Sequence, residues 1–345
     1  MRLLKSASSL LLAAALSGVA ADAPVAKPSA LETISNEVQA VFARSRDAIV
    51  RIEAEDVGGP IAGTGFYIEP NGILITSYAV GGEAEEMFAV QGNDRVPLKR
   101  LIADQRSGIA ILKAETETPT SFLRLGKANQ MGIGAMVIAI GYPLEFPLSP
   151  SFGVASGFDM GYGGRFFAAR HVRATAAVQR GQGGGPLLNT KGEVVGVIIS
   201  TLENSMGLFA LPGEAAEKVY SDFLHYGRVR QGWLGADVRL TDATEQGSSA
   251  RVRNLRLNGP GYAGGLRPGD VLLQVGSWKI TTPEDVLNAS FYITPDEAIS
   301  VEISRAGKRR ELKITPGESP DGKGAMPANG EDLTVPGELG LQIGR

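Results

Sequence analysis

One run of ten residues, Arg180 to Asn189 (R-G-Q-G-G-G-P-L-L-N), constrains this chain more than any other. It lies between two apolar runs with strand character, Val172–Val178 and Gly192–Ile199. A glycine-rich bend between buried strands turns backbone N–H groups toward the inside of its curve. That is how a pocket for an anion or a developing oxyanion is built. The bend itself carries no side chain that could react. It leads into a strand-like run rather than a helix and lacks the last glycine of G-x-G-x-x-G, so a dinucleotide loop fits it poorly.

Glycine punctuates the whole chain, 45 residues of it with no collagen-like period, which favours the many tight turns of an all-β architecture. Gly63–Thr76 (G-T-G-F-Y-I-E-P-N-G-I-L-I-T) reads as strand, turn, strand. Short apolar runs recur at Gly108–Ala114, Ala135–Gly141, Ser151–Gly157 and Gly192–Ile199, the pattern of a sandwich or barrel. Leu31, Ile34, Val38, Val41 and Phe42 are spaced for one face of a helix, and so are Ala216, Val219, Tyr220 and Phe223. A second unit starts near Val229. In it, Pro268-Gly-Asp270 turns straight into an apolar strand. Thr282, Pro283 and Asp285 form a helix start, and Ile299–Ile303 with Arg310–Ile314 form a closing hairpin around Ala306-Gly307.

Composition narrows the function classes. At 345 residues the chain is long enough for about two or three domains. A net charge of −3 gives no global attraction to nucleic acid or an anionic membrane. Lys308-Arg-Arg310 reads as a solvated hairpin face. The chain has no cysteine, which excludes disulfides and thiol chemistry. With only His171 and His225, a multi-histidine metal site is not expected. No metal and no cofactor are expected. Residues 1–23 carry Arg2 and Lys5, an apolar stretch from Leu10 to Ala20 and small residues after it. That is the pattern of a cleaved secretory signal, too short for a comfortable membrane span. A periplasmic or secreted location follows, with no integral membrane segment once the signal is removed.

From about Leu31 to Ile314 the order of motifs resembles the HtrA/Deg family of trypsin-like serine proteases followed by a PDZ domain. Gly63-Thr-Gly-Phe-Tyr-Ile68 matches the strand before the family's histidine, but Ala79 stands at the histidine position of Thr76-Ser-Tyr-Ala-Val-Gly81. Asp104-Gln-Arg-Ser-Gly-Ile-Ala-Ile-Leu-Lys113 matches the aspartate phrase, with Gly108 at the aspartate position. Ala174–Leu187 matches the nucleophile phrase, with Gly183 in place of serine. The resemblance places the oxyanion-hole N–H groups at Gly181 and Gly183. It also makes Trp233, Leu234, Gly235 and Ala236 the peptide-docking residues of a PDZ domain.

The fold expected is therefore mainly β, a trypsin-like double β-barrel over 24–226 followed by one PDZ domain over 227–316, then a tail over 317–345. A serine hydrolase needs a hydroxyl nucleophile, a base and a group that orients the base. Ala79, Gly108 and Gly183 supply none of these, so the expectation is a non-enzyme, a pseudoprotease. Its partners would be extended or misfolded polypeptides or protein C-termini, and the resemblance implies a homotrimer or assembly with an active relative. The alternative is an active serine endopeptidase of this class with a non-standard site. His171 and His225 are expected to be packing or surface residues, and Ser77 and Ser107 structural ones that face away from the lost positions.

Overall fold

The computed structural model describes residues 29–318 except 57, 163–164, 203–206 and 245. The expected signal at 1–23, and the expected tail beyond Glu318 with its alternating Leu339–Arg345 end, lie outside the described residues.

The amino-terminal helix α1 (Ala30–Ser45) starts at Ser29, whose hydroxyl accepts from the Glu32 N–H while Glu32 returns the bond to the Ser29 N–H. Its apolar face is buried only in its second half. Val41 is fully covered and Val38 and Phe42 are partly packed, whereas Leu31 is 79% exposed. The spacing is correct for a helix, but no neighbour among the described residues reaches the first turns.

Six strands then close the first barrel: β1 (Ile49–Asp56), β2 (Gly59–Tyr67), β3 (Ile73–Ser77), β4 (Glu86–Gln91), β5 (Asp94–Asp104) and β6 (Ile109–Ala114). Their order around the barrel is β1-β2-β3-β6-β5-β4. The expected hairpin is β2–β3, with Gly65 opposite Thr76 and Gly72 at φ +85° in the turn, a conformation that glycine adopts without strain. A single helical turn, α2 (Tyr78–Gly81), follows β3 directly.

The second barrel contains β7 (Met136–Gly141), β8 (Ser149–Tyr162), β9 (Arg165–Ala174), β10 (Pro186–Leu188), β11 (Val194–Thr201) and β12 (Leu208–Pro212), closed in the order β10-β11-β12-β9-β8-β7. Helix α3 (Gly213–Tyr226) packs its Ala215, Ala216 and Val219 into the core and ends on Gly227 at φ +69°, a left-handed C-cap. One apolar cluster runs through both barrels, from Ile49, Phe66, Ile75 and Ile109 to Ile138, Ile140, Val197 and Leu211. Burial of that size fixes the barrels against each other, so loops from both can share one cleft.

The third unit has β13 (Gly232–Trp233), β14 (Ala236–Leu240), β15 (Ala250–Leu255), α4 (Pro260–Ala263), β16 (Val271–Val275), β17 (Trp278–Lys279), α5 (Pro283–Tyr292), β18 (Ile299–Arg305), β19 (Lys308–Ile314) and β20 (Gly317–Glu318). Its main sheet runs β14-β15-β16-β18-β19, with β17 on β16, so β14 is an outer strand. Asp270, 1% exposed, accepts two bonds from the Arg305 guanidinium at 2.7 and 2.8 Å, so this buried carboxylate is paired and satisfied. The unit does not hang free. Arg170 of β9 donates its N–H to Asn288 Oδ1 at 2.8 Å and forms an ion pair with Asp285, both on α5. Met160 of β8 is buried in the apolar cluster of Trp233, Leu234 and Leu287.

Candidate functional site

The glycine bend sits where the two barrels meet, and threonine residues hold it. Thr64, fully buried on β2, donates its hydroxyl to the Gly181 carbonyl at 2.8 Å and accepts from the Tyr142 N–H at 3.1 Å. Its own N–H donates to the Gly183 carbonyl at 3.0 Å, and its carbonyl accepts from the Thr76 hydroxyl at 2.8 Å. The Gly184 N–H donates to the Ile198 carbonyl and the Ile198 N–H to the Gly185 carbonyl. The bend is thereby tied to β2 on one side and β11 on the other. Glycine is required in it. At φ +92°, a Cβ on Gly181 would stand 2.4 Å from the Tyr142 carbonyl. On Gly184, at φ +84°, it would stand 2.3 Å from the Thr76 hydroxyl.

The carbonyls of Arg180, Gly181, Gln182, Gly183 and Gly185 are occupied, while N–H groups of the bend are left over, those of Gly181 and Gly183 among them. Neither the Gly181 N–H nor the Gly183 N–H has an acceptor among the described residues. A buried or half-buried donor without a partner is a cost that a bound acceptor removes. Two such donors with one residue between them can take a carbonyl or carboxylate oxygen.

Ala79, Gly108 and Gly183 are brought to this one place. The Tyr78 N–H donates to the Gly108 carbonyl at 2.6 Å, which sets Gly108 beside the first turn of α2, and Ala79 is the next residue. Gly183 faces Ser77 across the cleft, 3.6 Å from the position of its Cβ to the serine hydroxyl. The three positions contribute no nucleophilic or ionisable side chain. Gly108 has φ +78°, and a Cβ there would press on the Ile199 methyl at 3.1 Å, so a longer side chain at 108 meets Ile199.

Ser77 differs from the expectation. It was expected to face away. Instead β3 ends at Ser77 and α2 begins, and this break in alternation points the hydroxyl at the bend. Ser107 stays structural, buried with its hydroxyl on the Asp104 carbonyl at 3.2 Å. His225 is a surface residue on α3. His171 is buried, its Nδ1 2.8 Å from the Ala169 carbonyl, and burial lowers its pKa to about 4. It lines a cavity of about 540 Å³ that opens beside Gly108, which pattern reading of the sequence did not foresee. A larger cavity of about 850 Å³ lies along β1 and β4, with Arg46, Tyr67, Tyr142 and Phe146 among its walls.

In the third unit, Trp233 closes β13 and Ala236 opens β14, with Gly235 between them at φ +66°. The Leu234 carbonyl accepts from the Gly261 N–H at 2.7 Å and the Gly235 carbonyl from the Arg256 N–H at 2.9 Å. The N–H groups of Leu234 and Gly235 have no acceptor among the described residues. They stand at the head of an outer strand, the arrangement in which a loop can take a terminal carboxylate while the strand edge takes the backbone before it.

Two domain models match the chain, the trypsin-like peptidase domain over residues 63–197 and the PDZ domain over 232–315. Probable periplasmic DegP-like serine endoproteases of Ectopseudomonas mendocina (strain ymp) and Halomonas elongata are 32% and 30% identical to it, over 80% and 81% of this chain. This chain belongs to the HtrA/Deg family. It spans about six-tenths of the length of those curated relatives, 59% and 61%. Among solved structures, the HtrA-type protease AlgW with a tripeptide superposes with a TM-score of 0.68 at 22% identity, covering 83% of this chain and 99% of AlgW. A serine endoprotease from Yersinia pestis gives 0.58 at 23% identity, with 81% and 97% covered. At these identities the structural likeness establishes the fold.

These comparisons correct one expectation. The chain was read as a non-enzyme, a pseudoprotease. Its relatives across four-fifths of its length are named serine endoproteases, and the solved structures sharing its fold are proteases. The non-enzyme reading is therefore withdrawn. The relatives are also named as periplasmic. No helix among the described residues is long and apolar enough to cross a membrane.

Proposed function

We propose that this chain handles extended or misfolded polypeptides in the cell envelope, holding each at two points. The PDZ unit takes a C-terminus, with the carboxylate on the Leu234 and Gly235 N–H groups and the preceding residues added to β14 as a strand. The cleft takes an internal carbonyl on the Gly181 and Gly183 N–H groups. The observation that carries this reading is the pair of donor sets left without acceptors among the described residues, one in each unit. A secretory signal at residues 1–23 would deliver the chain to that compartment. Assembly as a trimer or with a relative is part of the same proposal.

Endopeptidase action, the activity in the relatives' names, is the second reading. Two observations favour it here: the unpartnered N–H pair, and the Ser77 hydroxyl that faces it. In this reading Ala79, Gly108 and Gly183 occupy the family's triad positions, and hydrolysis draws its nucleophile from elsewhere. Ser77 is the hydroxyl placed to supply it.

The test incubates the purified chain with a reduced, alkylated, unfolded polypeptide and reads complex formation and new fragments together. Capture that weakens on amidation of the polypeptide's C-terminus supports the proposal, and no capture overturns it. Fragments that disappear in Ser77→Ala assign the hydrolysis to Ser77. Fragments that persist exclude it.

A further inference from the structure

The larger cavity, about 850 Å³, opens at the end of the first barrel, where β1 begins, β2 ends at Tyr67 and Gly92 turns β4 into β5. Segments 116–121 and 142–148 complete its wall, and Val50, Ala89 and Val96 give it an apolar base. Its size is that of small-molecule sites, about 300–1,000 Å³. The strands around it belong to a closed barrel, so it offers no free strand edge for an extended chain to join.

One polar group of this wall is buried and unpaired. Tyr67 is 5% exposed, and it belongs to the apolar cluster of Val50, Ala89 and Leu98. Its hydroxyl has no hydrogen-bond partner among the described residues. Yet it is not one of the unpaired side-chain atoms sealed from solvent there, which are Ser45 Oγ, Trp233 Nε1 and Ser290 Oγ. The hydroxyl therefore opens into the cavity that Tyr67 lines. Burial raises the pKa of this phenol, so the group keeps its hydrogen. Tyr142 is raised by burial as well, against the pull of Arg51 and Arg46, and its hydroxyl reaches the Ile49 carbonyl only at 3.4 Å.

The charges of the wall are mixed. Arg46 and Arg51 stand with Asp47, Asp94 and Glu145. Arg46 lies 3.7 Å from Asp47, and Arg51 is paired with Glu53, which is not part of the wall. The Gln91 amide is taken up by the carbonyls of Arg46, Asp47 and Ile49. An anionic ligand would meet the three carboxylates, and a cationic one the two guanidiniums. An apolar ligand would strand the Tyr67 hydroxyl. A neutral ligand rich in hydroxyls does neither, because each hydroxyl can donate to a carboxylate and accept from a guanidinium or a phenol. Ring faces complete the set. Tyr142 and Phe146 line the same cavity, and Phe146 is 64% exposed. The negative face of an aromatic ring suits the C–H hydrogens of a sugar ring.

We infer that this cavity is a carbohydrate site for a neutral oligosaccharide, with one sugar ring on Phe146 and one sugar hydroxyl accepting from Tyr67. The inference goes beyond the polypeptide-binding reading and does not rest on it.

The probes are maltose, cellobiose and N,N′-diacetylchitobiose, each titrated into the ¹⁵N-labelled full chain. At least one should move the amides of Gly92 and Thr118 and reach half-saturation at about 1 mM. Tyr67→Phe, which keeps the ring and removes the hydroxyl, should weaken that probe about fivefold, the equivalent of one neutral hydrogen bond. Phe146→Ala removes an exposed ring and should weaken it about fivefold as well, with the urea midpoint unchanged. The inference is overturned if no probe moves those amides at about 10 mM, or if shifts arise only elsewhere. It is overturned equally if either variant binds the probe as tightly as the unmodified chain. Displacement of the bound sugar by the reduced, alkylated polypeptide would also overturn it, by making the cavity part of the polypeptide's path.

Discussion

Ser77 looks directly at Gly183: from the serine Oγ to the place a Cβ would occupy on the glycine is 3.6 Å, an ordinary van der Waals separation. The end of one barrel's strand and the bend of the other's thus leave room for a β-carbon at 183. Gly183→Ser should fit, with stability changed by no more than about 0.5 kcal/mol. Gly184→Ala, one residue on, should behave oppositely. Its methyl would meet the Thr76 hydroxyl at 2.3 Å and the Thr64 carbonyl at 2.4 Å from a backbone at φ +84°. A loss of about 2 kcal/mol or more is expected. Urea midpoints of the two variants check both.

Gly108 has a different problem, because Ile199 fills the space over it. An aspartate at 108 would need a left-handed backbone and would press on the Ile199 methyl at 3.1 Å. Ala79→His with Gly183→Ser should therefore hydrolyse an unfolded substrate as fast as the triple variant that adds Gly108→Asp. Adding Ile199→Ala, which removes that methyl, to the triple should raise the rate about tenfold or more, because a correctly placed acid orients the imidazole. Initial rates of fragment formation decide it, and a fully active triple variant would show that Ile199 is no obstacle.

Thr64 ties the cleft together through both its hydroxyl bonds. Thr64→Val keeps the shape but strands the Gly181 carbonyl and the Tyr142 N–H. The expected cost is about 1–3 kcal/mol. Because the damage is confined to the bend, polypeptide capture should weaken while binding of a short C-terminal peptide at the PDZ unit stays within a factor of about two. Calorimetric titration with the short peptide, alongside the capture assay, separates the two.

How far the residues themselves announced this architecture differs from element to element. Alternation, paired with Pro-Asn-Gly and Ala306-Gly307 turns, was enough to place β2–β3 and β18–β19, and Thr282 with Asp285 marked the start of α5. Local signals of this kind survive folding because turn and cap chemistry is decided within a few residues. The partners of the bend were not legible, since Thr64 and Gly181 are 117 residues apart and only barrel closure brings them together. Ser77 was misplaced because a strand ends there, and alternation does not apply across the junction. The surroundings of His171 needed β8, β9 and the end of β11 in one place. The aromatic phrase Arg165-Phe-Phe-Ala-Ala-Arg-His171 was the one hint available.

His171 also sets a pH dependence. Its folded pKa of about 4 lies below the unfolded value near 6.5, so the unfolded chain binds more protons between them. This stability is fully present above about pH 6.5 and is lost as pH falls toward 4. The amount is about 3 kcal/mol at most. Urea midpoints should fall across that window in the unmodified chain, and this part of the slope should flatten in His171→Gln.

The most direct test of two-point capture is a backbone-amide titration of the ¹⁵N-labelled chain with an unfolded peptide bearing a free carboxylate. The account predicts that the amides of Leu234 and Gly235 and those of Gly181 and Gly183 shift at the same peptide concentration, with the remaining glycine signals unmoved. Saturation of the peptide with the Gly181 and Gly183 amides unchanged would contradict it.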